Sequence, residues 1–166
     1  TFSGRTFAVT SVALSPDRTM IAVGSDDGLV HLWRADGTEL RVLTGHTKVV
    51  TSVAWAPDSK QLVSGSQDGT LRIWTIEGQT VSVLTGHSAI VQGVAWSSTN
   101  LIASASWDKT IRLWRADGTP IAGVGFHDHE RILLDAVFPV LGADVVEYFG
   151  DVAYQAFFAL AFLEID

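Results

Sequence analysis

The sequence predicts an all-β protein of three four-stranded units, followed by a divergent tail with a helical stretch. Three observations predict it. One stretch, TGHTKVVTSVAWAPDSKQLVSGSQDGTLRIW at 44–74, recurs as TGHSAIVQGVAWSSTNLIASASWDKTIRLW at 85–114 and as SGRTFAVTSVALSPDRTMIAVGSDDGLVHLW at 3–33. The copies end on Trp33, Trp74 and Trp114, which lie 41 and 40 residues apart. Inside each copy, short alternating apolar runs are separated by Asp-Gly, Pro-Asp and Ser-rich turns, which is hairpin patterning and not a helical period.

Each copy yields four strands in order. An apolar-alternating run comes first (Val9–Leu14, Val50–Trp55, Val91–Trp96). Turn residues end it: Ser15-Pro16-Asp17, Ala56-Pro57-Asp58, and Ser97-Ser98-Thr99-Asn100 in a copy one residue shorter. A second strand follows (Met20–Gly24, Gln61–Gly65, Leu101–Ala105), closed into a hairpin by Asp27-Gly28, Asp68-Gly69 and Asp108-Lys109. The third strand ends on the tryptophan (Leu29–Trp33, Thr70–Trp74, Thr110–Trp114). Beyond Asp36-Gly37 and Glu77-Gly78, a fourth runs to the next Gly-His (Glu39–Leu43, Thr80–Leu84). A sheet of this kind has two apolar faces and cannot bury both alone, so the copies must stack.

Composition divides the chain at the last repeat. Residues 1–118 hold 10 acidic and 10 basic side chains, whereas 119–166 hold 8 acidic ones and only Arg131. All six Trp precede the divide, and no Ser or Thr follows Thr119. The absence of Cys excludes disulfides and thiolate metal sites. No basic cluster marks a nucleic-acid or anionic-membrane face. The run Val152–Leu163 falls short of the roughly 20 residues that span a bilayer. A soluble, cytoplasmic protein without nucleic-acid or membrane contact is expected.

A repeat of about 40–45 residues, with Gly-His near its front and Trp near its back, resembles the WD40 family. The resemblance implies a partial β-propeller: repeats over 1–127, in blades of about 5–43, 46–84 and 87–125, and a divergent acidic, Phe-rich tail over 128–166. It implies, too, a blade-locking hydrogen-bond network of His, Ser, Asp and Trp. That network maps to His46, Ser64, Asp68 and Trp74 in the second copy and to His87, Ser104, Asp108 and Trp114 in the third. The first copy keeps Asp27 and Trp33 but has Arg5 and Val23 in place of the His and Ser, so it should be the weakest blade. Arg34, Thr75 and Arg115 replace the Asp that usually follows the Trp. The WRADGT segments at 33–38 and 114–119 look like those of bacterial multi-repeat members, whose arrays often sit C-terminal to a signalling NTPase or kinase module.

Three blades fall short of the roughly four to eight that close a ring. A fragment of a larger ring, self-association, or a tail that covers the open face all fit the sequence. In the tail, Ile132–Pro139 resembles a degenerate first strand, and Val145, Tyr148, Phe149, Val152, Ala156, Phe157 and Leu160 recur at helical spacing. Such a helix would pack on the blades or recruit another chain; the composition shift also fits a misjoined, out-of-frame extension.

Two chemical readings compete with a structural one. His, Ser and Asp together suggest a catalytic triad, yet a catalytic set is built once in a cleft, and this set recurs per repeat. His127 and His129 could share a metal with Glu130, but His127 lies 13 residues after Trp114, where the next repeat's His belongs. His31 reads as packed or surface-facing. No catalytic residue, cofactor or metal is therefore expected. WD40 propellers act as platforms for protein or peptide partners, on a top face that maps here to Ala8, Thr10, Asp26, Val49, Thr51, Gln67, Ile90, Gln92 and Trp107. The alternative is a structural piece that forms homo-oligomers through its open blade edge or its tail.

Overall fold

The computed structural model describes residues 7–125, and these form strands and turns with no helix among them. Three sheets follow one another along the chain. The first holds β1 (Val9–Leu14), β2 (Met20–Ser25), β3 (Val30–Arg34) and β4 (Glu39–Leu43). The second holds β5 (Val50–Trp55), β6 (Gln61–Ser66), β7 (Leu71–Thr75) and β8 (Thr80–Leu84). The third holds β9 (Val91–Trp96), β10 (Leu101–Ser106), β11 (Thr110–Arg115) and β12 (Pro120–Gly125). Each sheet is an antiparallel meander in which sequence order is spatial order. The first and fourth strands of the first two repeats fall where the alternation places them. In those repeats the third strand starts one residue later than the pattern suggests. There the Asp27 and Asp68 carboxylates accept the backbone N–H of Leu29 and Thr70 at 3.0 and 2.9 Å.

Strand alternation gives every sheet two apolar faces, and the sheets stack to bury them. Between the first and second sheets, Ala22, Val30, Leu32 and Leu43 meet Val50, Val53, Trp55, Leu62 and Trp74. Between the second and third, Ala54, Val63, Leu71, Ile73 and Leu84 meet Val91, Val94, Ile102 and Trp114. The two layers use the same repeat positions. Fully burying each large aliphatic contributes about 1.5–3 kcal/mol, so these layers dominate the stability of the stack.

A polar ladder runs along the first strands of adjacent sheets. The pairing of β1 with β2, and of β5 with β6, shifts register around Thr10 and Thr51. These bulged residues turn their hydroxyls to the neighbouring sheet, where Thr10 donates to the Val50 carbonyl and Thr51 to the Val91 carbonyl. One residue on, Ser11 and Ser52 each accept the backbone N–H of Val53 and Val94 at 3.2 Å. The Trp55 indole donates to the Ala13 carbonyl at 3.0 Å. The strands β1, β5 and β9 are thus joined in series, one per sheet.

Arg5, the degenerate strand at 132–139, the helical stretch and the pair His127–His129 lie outside the described residues, as does the domain division at 127. The inter-sheet spacing is tight enough to test directly. A Cβ at Gly65 would lie 2.7 and 2.8 Å from Cγ1 of the buried Val91 and Val94. Gly65→Ala should therefore cost about 1–3 kcal/mol through overpacking, read as a lower urea midpoint at unchanged slope.

Candidate functional site

Four elements converge on one buried chain of polar groups in the second sheet. His46 comes from the loop before β5, Ser64 from the middle of β6, Asp68 from the β6–β7 turn and Trp74 from β7. The Trp74 Nε1 lies 2.8 Å from Ser64 Oγ, which lies 2.8 Å from His46 Nε2; His46 Nδ1 lies 2.9 Å from Asp68 Oδ2. The third sheet repeats it: Trp114 to Ser104 at 2.9 Å, Ser104 to His87 at 2.8 Å, His87 to Asp108 at 2.8 Å.

The chemistry of the donors fixes the direction of this chain. An indole only donates, so each Ser hydroxyl accepts from its Trp. An ionised carboxylate only accepts, so Nδ1 of each imidazole carries a proton and donates to the Asp. The remaining hydroxyl proton goes to the bare Nε2. Every member is satisfied by a neutral imidazole, and a satisfied buried chain of this kind holds one geometry. Both imidazole side chains are fully buried.

Electrostatics agrees with that assignment. Burial pushes the His46 and His87 imidazoles below the usual histidine value, against the upward pull of Asp68 and Asp108; the Arg72 and Arg112 charges add to the downward shift. Burial works to raise the Asp68 carboxyl, but hydrogen bonds from Thr70, His46 and the Thr47 and Thr70 backbone outweigh it and hold it at about 2. Asp108 is held at about 2 likewise, burial opposing and Thr110, His87 and the Ser88 backbone prevailing. In the unfolded chain both groups bind protons more readily, so both contributions weaken on acidification. The imidazole contribution is complete above about pH 6.5 and the carboxylate contribution above about pH 3.9, and each is lost as pH falls toward the folded value.

Close approach explains the Gly before each His. A Cβ at Gly45 would meet Arg72 Nη1 at 2.7 Å and the Trp74 ring at 3.0 Å; one at Gly86 would meet Arg112 Nη1 at 2.9 Å. The Arg72 guanidinium sits 5.7 Å from the centroid of the Trp74 ring, close enough for a cation–π contact.

A Trp–Ser–His–Asp chain repeated in step, sheet after sheet, with a Gly-His loop against the Trp ring, is a family signature rather than a single site. The model of the family "WD domain, G-beta repeat" matches residues 1–34, 37–75 and 78–115, each match ending one residue past the tryptophan of its repeat. The chain belongs to the WD40 family. The solved structure of U3-55K is similar to it with a TM-score of 0.72 and 25% identity, over 76% of this chain and 42% of that one. The crystal structure of RRP9 WD40 repeats gives the same TM-score and identity, over 76% of this chain and 41% of that one. The chain thus spans about two-fifths of the solved chains it matches. No curated protein matches it. WD40 repeats form propellers generally engaged in protein–protein interaction.

The WD40 latch differs from a hydrolytic triad in access. Ser64 is fully buried, accepts the Trp74 proton and gives its own to His46, which leaves its oxygen no approach to a substrate. Among the described residues no group of three or more His, Cys, Asp or Glu is arranged to hold a metal.

At the end of the sheets where the Asp turns lie, six of the nine candidate platform residues are joined in three pairs. The backbone N–H of Asp26, Gln67 and Trp107 donates to the carbonyl of Ala8, Val49 and Ile90 at 3.0, 2.9 and 2.9 Å. Ala8, Thr10, Asp26, Gln92 and Trp107 are exposed, and Val49, Thr51, Gln67 and Ile90 are half-buried. The hydroxyls of Thr10 and Thr51 are spent on the inter-sheet ladder.

The first sheet departs from the latch at the Ser position. Val23 stands where the Ser belongs, and the residue across from it on β3 is His31, at the position of Arg72 and Arg112. His31 is buried and stacks on Phe7, ring centroids 4.2 Å apart.

Ser64→Ala removes the acceptor of Trp74 and the donor of His46 at once. With two buried groups orphaned, a loss of about 2–4 kcal/mol is expected in denaturant unfolding; Thr47→Ala, at an exposed neighbouring position, should stay within about 0.5 kcal/mol.

Proposed function

We propose that this chain is a non-catalytic scaffold that captures a protein or peptide partner on the face carrying Ala8, Asp26, Val49, Gln67, Ile90, Gln92 and Trp107. The observation that carries the reading is Trp107. Its side chain is 50% exposed although its backbone is pinned to Ile90 and the next residue, Asp108, is locked in the latch. A rigidly mounted, exposed indole contributes large contact area at little cost in conformational entropy, which is why such residues dominate binding energies. The equivalent positions, Asp26 and Gln67, are polar, so the surface offers an aromatic anchor beside hydrogen-bonding groups. No cofactor takes part. Trp107→Ala should weaken capture of the physiological partner about thirtyfold or more while leaving the unfolding midpoint unchanged; unchanged capture counts against this face.

A second reading, self-assembly into homo-oligomers, is favoured by the exposed face of the first sheet. Val9, Val12 and Leu14 are 62%, 66% and 54% exposed, whereas Val50, Val53 and Trp55 at the same repeat positions are 0%, 6% and 6% exposed against the first sheet. A face shaped for another sheet and left open is an association surface. The double variant Val12→Glu, Leu14→Glu should lower the sedimentation-derived mass of any oligomer to that of one chain; a wild-type protein that sediments as a monomer at all concentrations removes the reading.

A further inference from the structure

The two ends of the stack differ. On the first sheet the outward face is open at Val9, Val12 and Leu14. On the third sheet it is closed. Ala103, Ile111 and Leu113 stand at the repeat positions of Val63, Leu71 and Ile73, with which the second sheet receives the third. Each of the three is 5% exposed, although no fourth sheet follows among the described residues.

The ends differ, too, in the polar contacts that join one sheet to the next. At both junctions within the chain, a Thr and a Ser of the first strand bond to the following sheet: Thr10 and Ser11, then Thr51 and Ser52. The third sheet has Gln92 and Gly93 in those places. Gly93 has no hydroxyl to accept an incoming N–H. On the other side, Leu14 stands where Trp55 donates its indole proton to the Ala13 carbonyl. A first sheet laid on a third sheet would lack the serine and indole contacts and would meet a face with no open apolar surface. The two ends do not match.

From this mismatch we propose that the open face of the first sheet is covered by the first sheet of a second copy, in a twofold dimer. The proposal rests on the self-assembly reading above and specifies its partner and its symmetry. A face that meets itself closes at two copies, whereas a face that meets a different one continues into a ring or a filament. One open face per chain permits only the first. The residues suit such a contact. On β2 and β3 this side carries Ile21, Val23, Trp33 and the buried His31. No exposed charge on β1, β2 or β3 of this side therefore meets its own copy across the axis. Removal of the valines and Leu14 from water drives the association.

The test uses the whole chain, which contains no Cys, so one introduced Cys carries one spin label. Pro16, in the exposed turn beyond Leu14, marks the first sheet; Ser98, its exposed counterpart beyond Trp96, marks the third. Strands of this length span about 20 Å and packed sheets lie about 10 Å apart. Labels on Pro16→Cys should therefore give a dipolar distance within about 30 Å between copies, and labels on Ser98→Cys one on the order of 50 Å. In sedimentation equilibrium the mass should rise to that of two chains and no further. A mass above two chains, a dimer without the short Pro16 distance, or a short distance between Pro16 and Ser98 labels in a mixed sample overturns the twofold pairing and leaves the self-assembly reading standing. A monomer at every concentration removes both.

Discussion

The structure depends on a directional chain of hydrogen bonds that begins at a group able only to donate and ends at one able only to accept. Trp74 gives to Ser64, Ser64 to His46 and His46 to Asp68; Trp114, Ser104, His87 and Asp108 repeat the sequence. Because both ends are chemically one-way, the two members between them have a single consistent proton arrangement. That arrangement binds the outermost of these elements, the tryptophan strand, to the loop that leads into the innermost strand. The fold of each sheet and the position of its top turn are thereby fixed together.

The latch does not join one sheet to the next; apolar layers and a polar ladder do that. The Trp74 ring belongs to both devices, donating to Ser64 within its own sheet while packing on Val30, Leu32 and their neighbours in the preceding one. Gly45, Gly24 and Gly65 stand where a ring, a guanidinium or a valine of a neighbouring element approaches too closely for a Cβ. Rigid turns mounted on such a stack hold Asp26, Gln67 and Trp107 at fixed spacing, which is what a recognition surface requires. Of the three turns that join the second strand of a sheet to its third, that of the third sheet lacks glycine and bears a cost: Lys109 adopts the left-handed conformation (φ 66°) that Gly28 and Gly69 adopt freely.

Most of this was legible in the sequence because the repeat samples the same physics three times. Strand alternation, turn residues and the fixed offsets of Gly-His, Ser, Asp and Trp are periodic, so two copies identify what one leaves ambiguous. What the period could not reveal lies where a copy departs from it. His31 was read as packed or surface-facing, and it is packed, but its pairing with Asp27 and Glu39 depends on cross-strand register between β3 and β4. The roles of Thr10 and Thr51 were also hidden. Their repeat positions suggest a platform, whereas the bulge that directs their hydroxyls at the next sheet is a property of backbone pairing. Exposure of Val9, Val12 and Leu14 is likewise invisible in a strand whose residues match those of a buried one.

The central claim concerns the protonation state of two buried rings, and long-range nitrogen–proton correlation on the ring nitrogens of His46 and His87 at neutral pH reads it directly. The donor chain predicts neutral imidazoles in both, protonated at Nδ1 and bare at Nε2. A ring protonated at Nε2, or charged at both nitrogens, would reverse or break the chain from tryptophan to aspartate and contradict the account.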